Sequence, residues 1–321
     1  MRRSVGFLTV LPLYLAMAMA IGFVDQHVRP FADSAYKPDD GYVARVVAGT
    51  EAPPAKYRIL APYAYSGLVR VTGLKPENGW LVFRWLCLVG VFAAGHLLYR
   101  SWFSTGAAVA GNAIVGVLLP LTFTNGWGHP DHLVELALFT LGCACIARGW
   151  FPLFLAVLAL AGSNRETSFL LVMVFAGAQA RTSQRIGAIA AAVGVWGAVY
   201  GGLRWWLGYV PYNPLNISNN MWHLFTWPSF AADRDLYSRL YPWFFVALLA
   251  GPVAAIVRTW AVQPRFVRAS VGVVTPFFVI IGLTFSSVIE TRIFTPLLPL
   301  LTTGLLFAFF SPATTADADT D

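Results

Sequence analysis

The sequence predicts an all-α polytopic membrane protein, and three observations carry that prediction. Hydrophobic residues make up 57% of the 321 and charged residues 12%, with a mean hydropathy of +0.63, more apolar length than a soluble core absorbs. The apolar residues gather into runs of the length a bilayer crossing needs. The fifteen acidic residues, three tail aspartates apart, fall in or beside segments at one predicted membrane face. Charge in hydrocarbon costs roughly 2.5 to 3.5 kcal/mol even on lenient scales, so carboxylates kept there point to a site.

A crossing takes about 20 mainly apolar residues, and the runs 5–24, 80–99, 105–123, 132–147, 186–207, 241–257, 271–288 and 293–310 give about eight full spans. The start, Met1-Arg2-Arg3 with Ala16-Met17-Ala18 beyond, has the make-up of a signal peptide. Its apolar run continues through Ile21-Gly22-Phe23-Val24, so an uncleaved signal anchor is expected. Residues 150–180 hold two shorter apolar pieces, Phe151 to Ala161 and Thr167 to Ala180, around Gly162-Ser163-Asn164-Arg165-Glu166. They read as a short helical hairpin whose polar tip lies within or near the membrane. With that hairpin counted as an up-and-down pair, Arg2, Arg3, Arg100, Arg148, Arg181, Arg185, Arg258, Arg265 and Arg268 share one side. Positive charge in short loops marks the cytoplasm, so both termini are expected inside and the acidic face outside.

With no composition-biased linker and no repeat, residues 1–310 read as a single integral membrane domain, and 311–321 as a disordered cytoplasmic tail. Two outer loops are long. Residues 25–79 contain 41–48 and 59–71, which read as short amphipathic helices at the interface, and 208–240 are rich in Asn, Trp, Tyr and Pro. Cys87, Cys143 and Cys145 lie in apolar segments and are too few for a disulfide framework, and Cys143 and Cys145 suit helix packing rather than ligation. The net charge of +7 comes with three lysines and no basic soluble domain, which excludes a nucleic-acid partner.

Five polar clusters could carry chemistry. Asp33, Asp39 and Asp40, with Tyr42, could raise one another's proton affinity and supply a base for a hydroxyl, or form an ordinary Pro-Asp-Asp-Gly turn. Lys56-Tyr57-Arg58 leads an aromatic segment through Tyr63 that could hold a lipid phosphate or simply anchor the chain at the surface. Gly128-His129-Pro130-Asp131-His132 with Glu135 offers a metal cluster, a polar pocket wall, or an acid at the positive end of a helix. Its spacing is no recognised zinc pattern, so no metal ligand is assigned. Asn164-Arg165-Glu166-Thr167 is a self-compensated ion pair or a cavity lining, and the cavity is favoured because polar backbone at membrane depth needs burial or water. Glu290-Thr291-Arg292 alone would be an interfacial turn. All five reach one side, and a single outward-open pocket accounts for that.

Asp39-Asp40-Gly41-Tyr42, Tyr57-Arg58-Ile-Leu-Ala-Pro62, Asn164-Arg165-Glu166-Thr167 and Glu290-Thr-Arg292-Ile-Phe-Thr-Pro296 together resemble the bacterial GT-C glycosyltransferases, in layout from residue 5 to 310. The resemblance implies a short, inverting GT-C-type enzyme of the cell envelope, in the bacterial inner (plasma) membrane, moving a sugar from a polyprenyl-phosphate donor to a glycan, lipid or protein acceptor on the extracytoplasmic face. It further implies Asp40, or Asp39 or Asp33 in its place, as base, and Arg58, Arg165, Arg292 and Tyr57 as donor-phosphate contacts. His129, Asp131, His132, Glu135, Asn164, Glu166 and Glu290 would line the pocket. Family members commonly place the acid nearer the end of the first membrane helix, where this chain has Asp25 and Asp33. No cofactor is required by these residues, and a divalent metal is left open. The absence of a Gly-rich nucleotide loop disfavours a nucleotide-sugar donor. Two other readings stand beside this one: a small-molecule or lipid transporter or flippase, and a non-catalytic membrane assembly protein.

Overall fold

The structure is a computed structural model that describes residues 2–28, 41–122, 131–178, 183–212, 250–284 and 295–312. Every regular element among them is helical, as the sequence predicts. In chain order these are α1 (Arg2–Val28), α2 (Tyr42–Val47), α3 (Leu60–Thr72), α4 (Pro76–Tyr99), α5 (Thr105–Leu118), α6 (Asp131–Arg148), α7 (Phe151–Asn164), α8 (Phe169–Ala178), α9 (Ser183–Trp206), α10 (Arg265–Thr284) and α11 (Leu297–Phe309). Residues 250–258 are also helical.

Local chemistry sets several of these boundaries. Pro76 occupies the first turn of α4, where its missing N–H leaves no bond unmade. Ser104 caps α5 by accepting from the Ala107 N–H. Gly73 closes α3 at φ 65°, a conformation glycine adopts without a Cβ penalty.

α4 is the axis of the packing, with α1 and α5 on its flanks and α6 along it. From α6 the contacts run to α7 and then α9, while α8 leads through α10 and α11 back to α5. The expected hairpin is present. α7 and α8 run antiparallel, with the ring of Phe154 stacked on Phe175 at 5.0 Å and the chain reversing through Arg165–Ser168. α2 and α3 form where short amphipathic helices were expected, and Tyr42, Val46 and Tyr65 pack with Trp80 and Phe83 at the start of α4.

Among the described residues, four helical segments are long and apolar enough to cross a membrane: Gly6–Asp25, Pro76–Tyr99, Thr105–Thr122 and Arg185–Trp206. Phe151–Asn164, Glu166–Ala178 and Leu297–Phe309 are apolar but shorter. The eight full spans expected from the runs are therefore not reached among the described residues. One reason is local: the run 132–147 does form α6, but that helix carries Asp131, Glu135 and Arg148. The runs 241–257, 271–288 and 293–310 lie partly outside the described residues, as do most of 208–240 and the tail beyond 312. Leu8, Phe23, Leu86, Val117 and Ile186 are exposed on long helices, the pattern of a surface that meets lipid.

Several polar groups inside this apolar bundle are paired between helices. The Tyr14 hydroxyl meets His96 Nδ1 at 2.7 Å, and Asp25 pairs with Arg84, so two polar contacts join α1 to α4. Asn112 of α5 donates to the Phe92 carbonyl of α4 at 2.8 Å, and a Cβ on Gly95 would run into Asn112 Oδ1. Gly95→Ala is therefore expected to break that bond or spread α4 from α5, at a cost of about 1–3 kcal/mol. The readout is the thermal unfolding midpoint in detergent, and an unchanged midpoint would show that Asn112 swings clear without loss.

The two ends of the bundle differ in charge. At one end Arg148 donates to the Leu97 carbonyl at 2.7 and 3.0 Å, Arg100 to Phe103, and Arg265 to Gly177. At the opposite ends of α6, α7 and α8 lie Asp131, Glu135 and Glu166.

Candidate functional site

Arg58, in the turn before α3, makes a two-pronged ion pair with Glu166 at the hairpin tip, Nη2 to Oε1 at 2.6 Å and Nε to Oε2 at 3.3 Å. Its remaining nitrogen lies 3.5 Å from Asp131 Oδ2. Arg165, the residue before Glu166 at the tip, turns the other way, with Nη1 2.5 Å from Glu135 Oε2 and Nε 3.4 Å from Asp131 Oδ2. Three carboxylates from two elements thus meet two guanidiniums in one connected network. Planar forks that bind two acids at once are what arginine offers and lysine does not.

The sequence builds this network by ending elements at the right places. Asp131 opens α6, where a negative charge suits the positive helix end, and Glu135 stands one turn later on the same face. Arg165 leaves helical geometry at φ −156°, ψ 145°, which separates its side chain from the run of α7. Asn164 Nδ2 donates to the Asp131 carbonyl at 2.8 Å and ties the end of α7 to the start of α6. Thr167 Oγ1 donates to Glu135 Oε1, filling that carboxylate's second oxygen. His132 is buried beside them.

Burial makes the arrangement rigid. The side chain of Asp131 is 2% exposed, Glu135 8%, Arg165 13% and Arg58 15%, whereas Glu166 reaches 31%. The solvent-facing side of the network is therefore the Arg58–Glu166 pair. Burial works against the charge of Arg58, but Glu166 and Asp131 outweigh it and hold the guanidinium protonated above its usual range. Burial, then the charge of Asp131, pushes the Tyr42 phenol well up, so it stays neutral beside the cluster.

A second layer sits next to Arg58. The Tyr57 hydroxyl donates to the Gly208 carbonyl at 3.2 Å and accepts from the Val210 N–H at 3.0 Å, pinning the chain after α9 over the turn. The Arg204 guanidinium carbon lies 3.4 Å from the centroid of Tyr200 and 4.5 Å from that of Tyr57. Tyr200 stacks on Trp196 at 4.6 Å, and Trp196 Nε1 donates to Ser168 Oγ at 3.0 Å. An aromatic column on α9 thereby reaches from the hairpin tip to the Tyr57-Arg58 turn.

Of the residues the sequence singled out, Tyr57, Arg58, Asp131, Glu135, Asn164, Arg165 and Glu166 come together, with His132 adjacent. Asp33, Asp39, Asp40, His129, Glu290 and Arg292 lie outside the described residues. Sequence reasoning missed Trp196, Tyr200 and Arg204, although their spacing of four put them on one helix face. Among the described residues no group of three His, Cys, Asp or Glu side chains converges as a metal site.

No protein-family model, curated protein or solved structure matches this chain.

Proposed function

We propose that the chain is a membrane glycosyltransferase of GT-C type that takes a sugar from a polyprenyl-phosphate donor and gives it to a glycan, lipid or protein acceptor. The observation that supports this most is the convergence of three sequence-distant polar segments, at Arg58, Asp131 to Glu135, and Asn164 to Thr167, into one buried charged network at the end of the bundle away from Arg100, Arg148 and Arg265. Basic short loops favour the cytoplasmic side, which supports reading the network as extracytoplasmic in a bacterial plasma membrane.

In this reading the acceptor oxygen attacks the anomeric carbon while its proton passes to the Asp40 carboxylate, with Asp39 or Asp33 as substitutes. A glycosidic C–O bond forms, the bond from the anomeric carbon to the phosphate oxygen breaks, and the electron pair leaves on the phosphate. Configuration at that carbon inverts. Fixed guanidiniums in a poorly solvated pocket favour the charge growing on the leaving phosphate. Asp131, Glu135 and Glu166 already have oxygens engaged by arginine, so they suit positioning better than proton removal.

The test compares wild type and Asp40→Asn, purified in detergent, for transfer from a radiolabelled polyprenyl-phosphate sugar into a membrane-extract acceptor pool. Transfer that disappears in the folded variant supports the enzyme and its base. A folded wild type that neither transfers nor binds any of several donor sugars would move the reading to transport or assembly.

A further inference from the structure

We infer that Arg204, rather than Arg58 or Arg165, is the residue that takes the phosphate of the donor lipid, an inference that rests on the donor-lipid reading above. The first ground is occupancy. Arg58 is paired with Glu166 and Asp131, and Arg165 with Glu135 and Asp131, whereas among the described residues Arg204 has no carboxylate partner. Its described bonds are one from Nη1 to the Tyr200 carbonyl at 3.3 Å and a contact within reach of the Tyr212 hydroxyl. A guanidinium carries five N–H donors, so several remain for an anion.

The second ground is preparation. The Arg204 guanidinium carbon sits over the rings of Tyr200 and Tyr57, 3.4 and 4.5 Å from their centroids, which restrains where the group lies while its unengaged N–H donors remain for a ligand. A planar guanidinium fork matches two oxygens of a phosphate. Tyr57 is bonded to Gly208 and Val210, so the cradle is held from both sides.

The third ground is depth. Arg204 lies in the last turn of a 22-residue apolar segment, beside Trp205, Trp206 and Tyr209, which are 87%, 61% and 71% exposed. Exposed tryptophan and tyrosine at a span's end mark headgroup level, where a lipid's phosphate sits while its chain lies along the helix. Arg58, one ring away across Tyr57, would then hold the pocket wall against which the phosphate rests.

The chemistry recognised is a phosphate ester, and a lipid or free phosphate could supply it. Full-length wild type, Arg204→Gln and Arg204→Lys in detergent would be titrated with a polyprenyl monophosphate, the matched polyprenol and inorganic phosphate, with bound ligand read by native mass spectrometry. Polyprenyl phosphate should bind wild type and weaken about tenfold to a hundredfold in Arg204→Gln. Polyprenol should bind all three proteins alike. Arg204→Lys, which keeps the charge but loses the planar fork, should fall between, and it carries the test if the glutamine variant unfolds. Inorganic phosphate that binds as tightly as the lipid would overturn the lipid source, and equal lipid binding by wild type and both variants would overturn the inference. Unchanged sugar transfer in Arg204→Gln would sink Arg204 and leave the enzyme standing. Arg204-dependent lipid binding without any transfer would sink the enzyme and leave Arg204 standing.

Discussion

Arg165→Gln is expected to lose most of the folded protein. Arg165 and Glu135 are both nearly buried, and removing one partner of such a pair strands the other charge, at a cost of about 3–5 kcal/mol. The substitution also deprives Asp131, at 2% exposure the most deeply buried acid of the network, of one of its two guanidiniums. Glutamine can keep a hydrogen bond but cannot supply the charge. The measurement is the unfolding midpoint in detergent together with the yield of monodisperse protein. A double-mutant cycle sharpens it: Arg165→Gln with Glu135→Gln removes both charges and should recover much of the loss, because the desolvated carboxylate is gone. If Arg165→Gln alone melts like wild type, the network is a solvated surface feature and the proposed rigid wall does not exist.

Charge was informative in this chain because it is scarce. In an apolar run, a lone Arg165-Glu166 interrupts the helix pattern so sharply that both the hairpin and its tip could be read from sequence, and the break falls at Arg165. The pair Asp131 and Glu135 was legible for a related reason, since i and i+4 positions share a helix face whatever surrounds them. Which acid each arginine chooses was not legible. That depends on the tip leaving helical geometry at Arg165, so that neighbouring arginine and glutamate point to different partners rather than to each other. Asp25 illustrates the same limit: counted with the acidic face from sequence, it is fully buried and paired with Arg84, an arginine hidden within the α4 run. Arg204 was lost inside an apolar run for the opposite reason, because the length of the run dominated its reading and the aromatic column beneath it appears only when α9 meets the Tyr57 turn.

Arg58→Gln should separate function from folding where Arg165→Gln cannot. Its main partner, Glu166, has a 31% exposed side chain and can be hydrated when the guanidinium goes, and Asp131 keeps Arg165. The loss of charged hydrogen bonds is then expected to cost about 1.5–3 kcal/mol, leaving a folded protein. What changes is position. Arg58 clamps the segment between α2 and α3 to the hairpin tip, and Asp39 and Asp40 precede α2 in the sequence, so the proposed mechanism expects loss of this clamp to reach the base. A base displaced by about 1 Å can cost a hundredfold in rate, so sugar transfer should fall by about that factor, as a loss of kcat rather than a rise in KM for the acceptor. Arg58→Lys tests the geometry rather than the charge. A lysine reaches one carboxylate as a point charge but cannot fork across Glu166 and bridge to Asp131, so transfer should recover only in part. Transfer at the wild-type rate in folded Arg58→Gln would remove Arg58 from the machinery. A fall that tracks the melting midpoint across both variants would make the clamp purely structural.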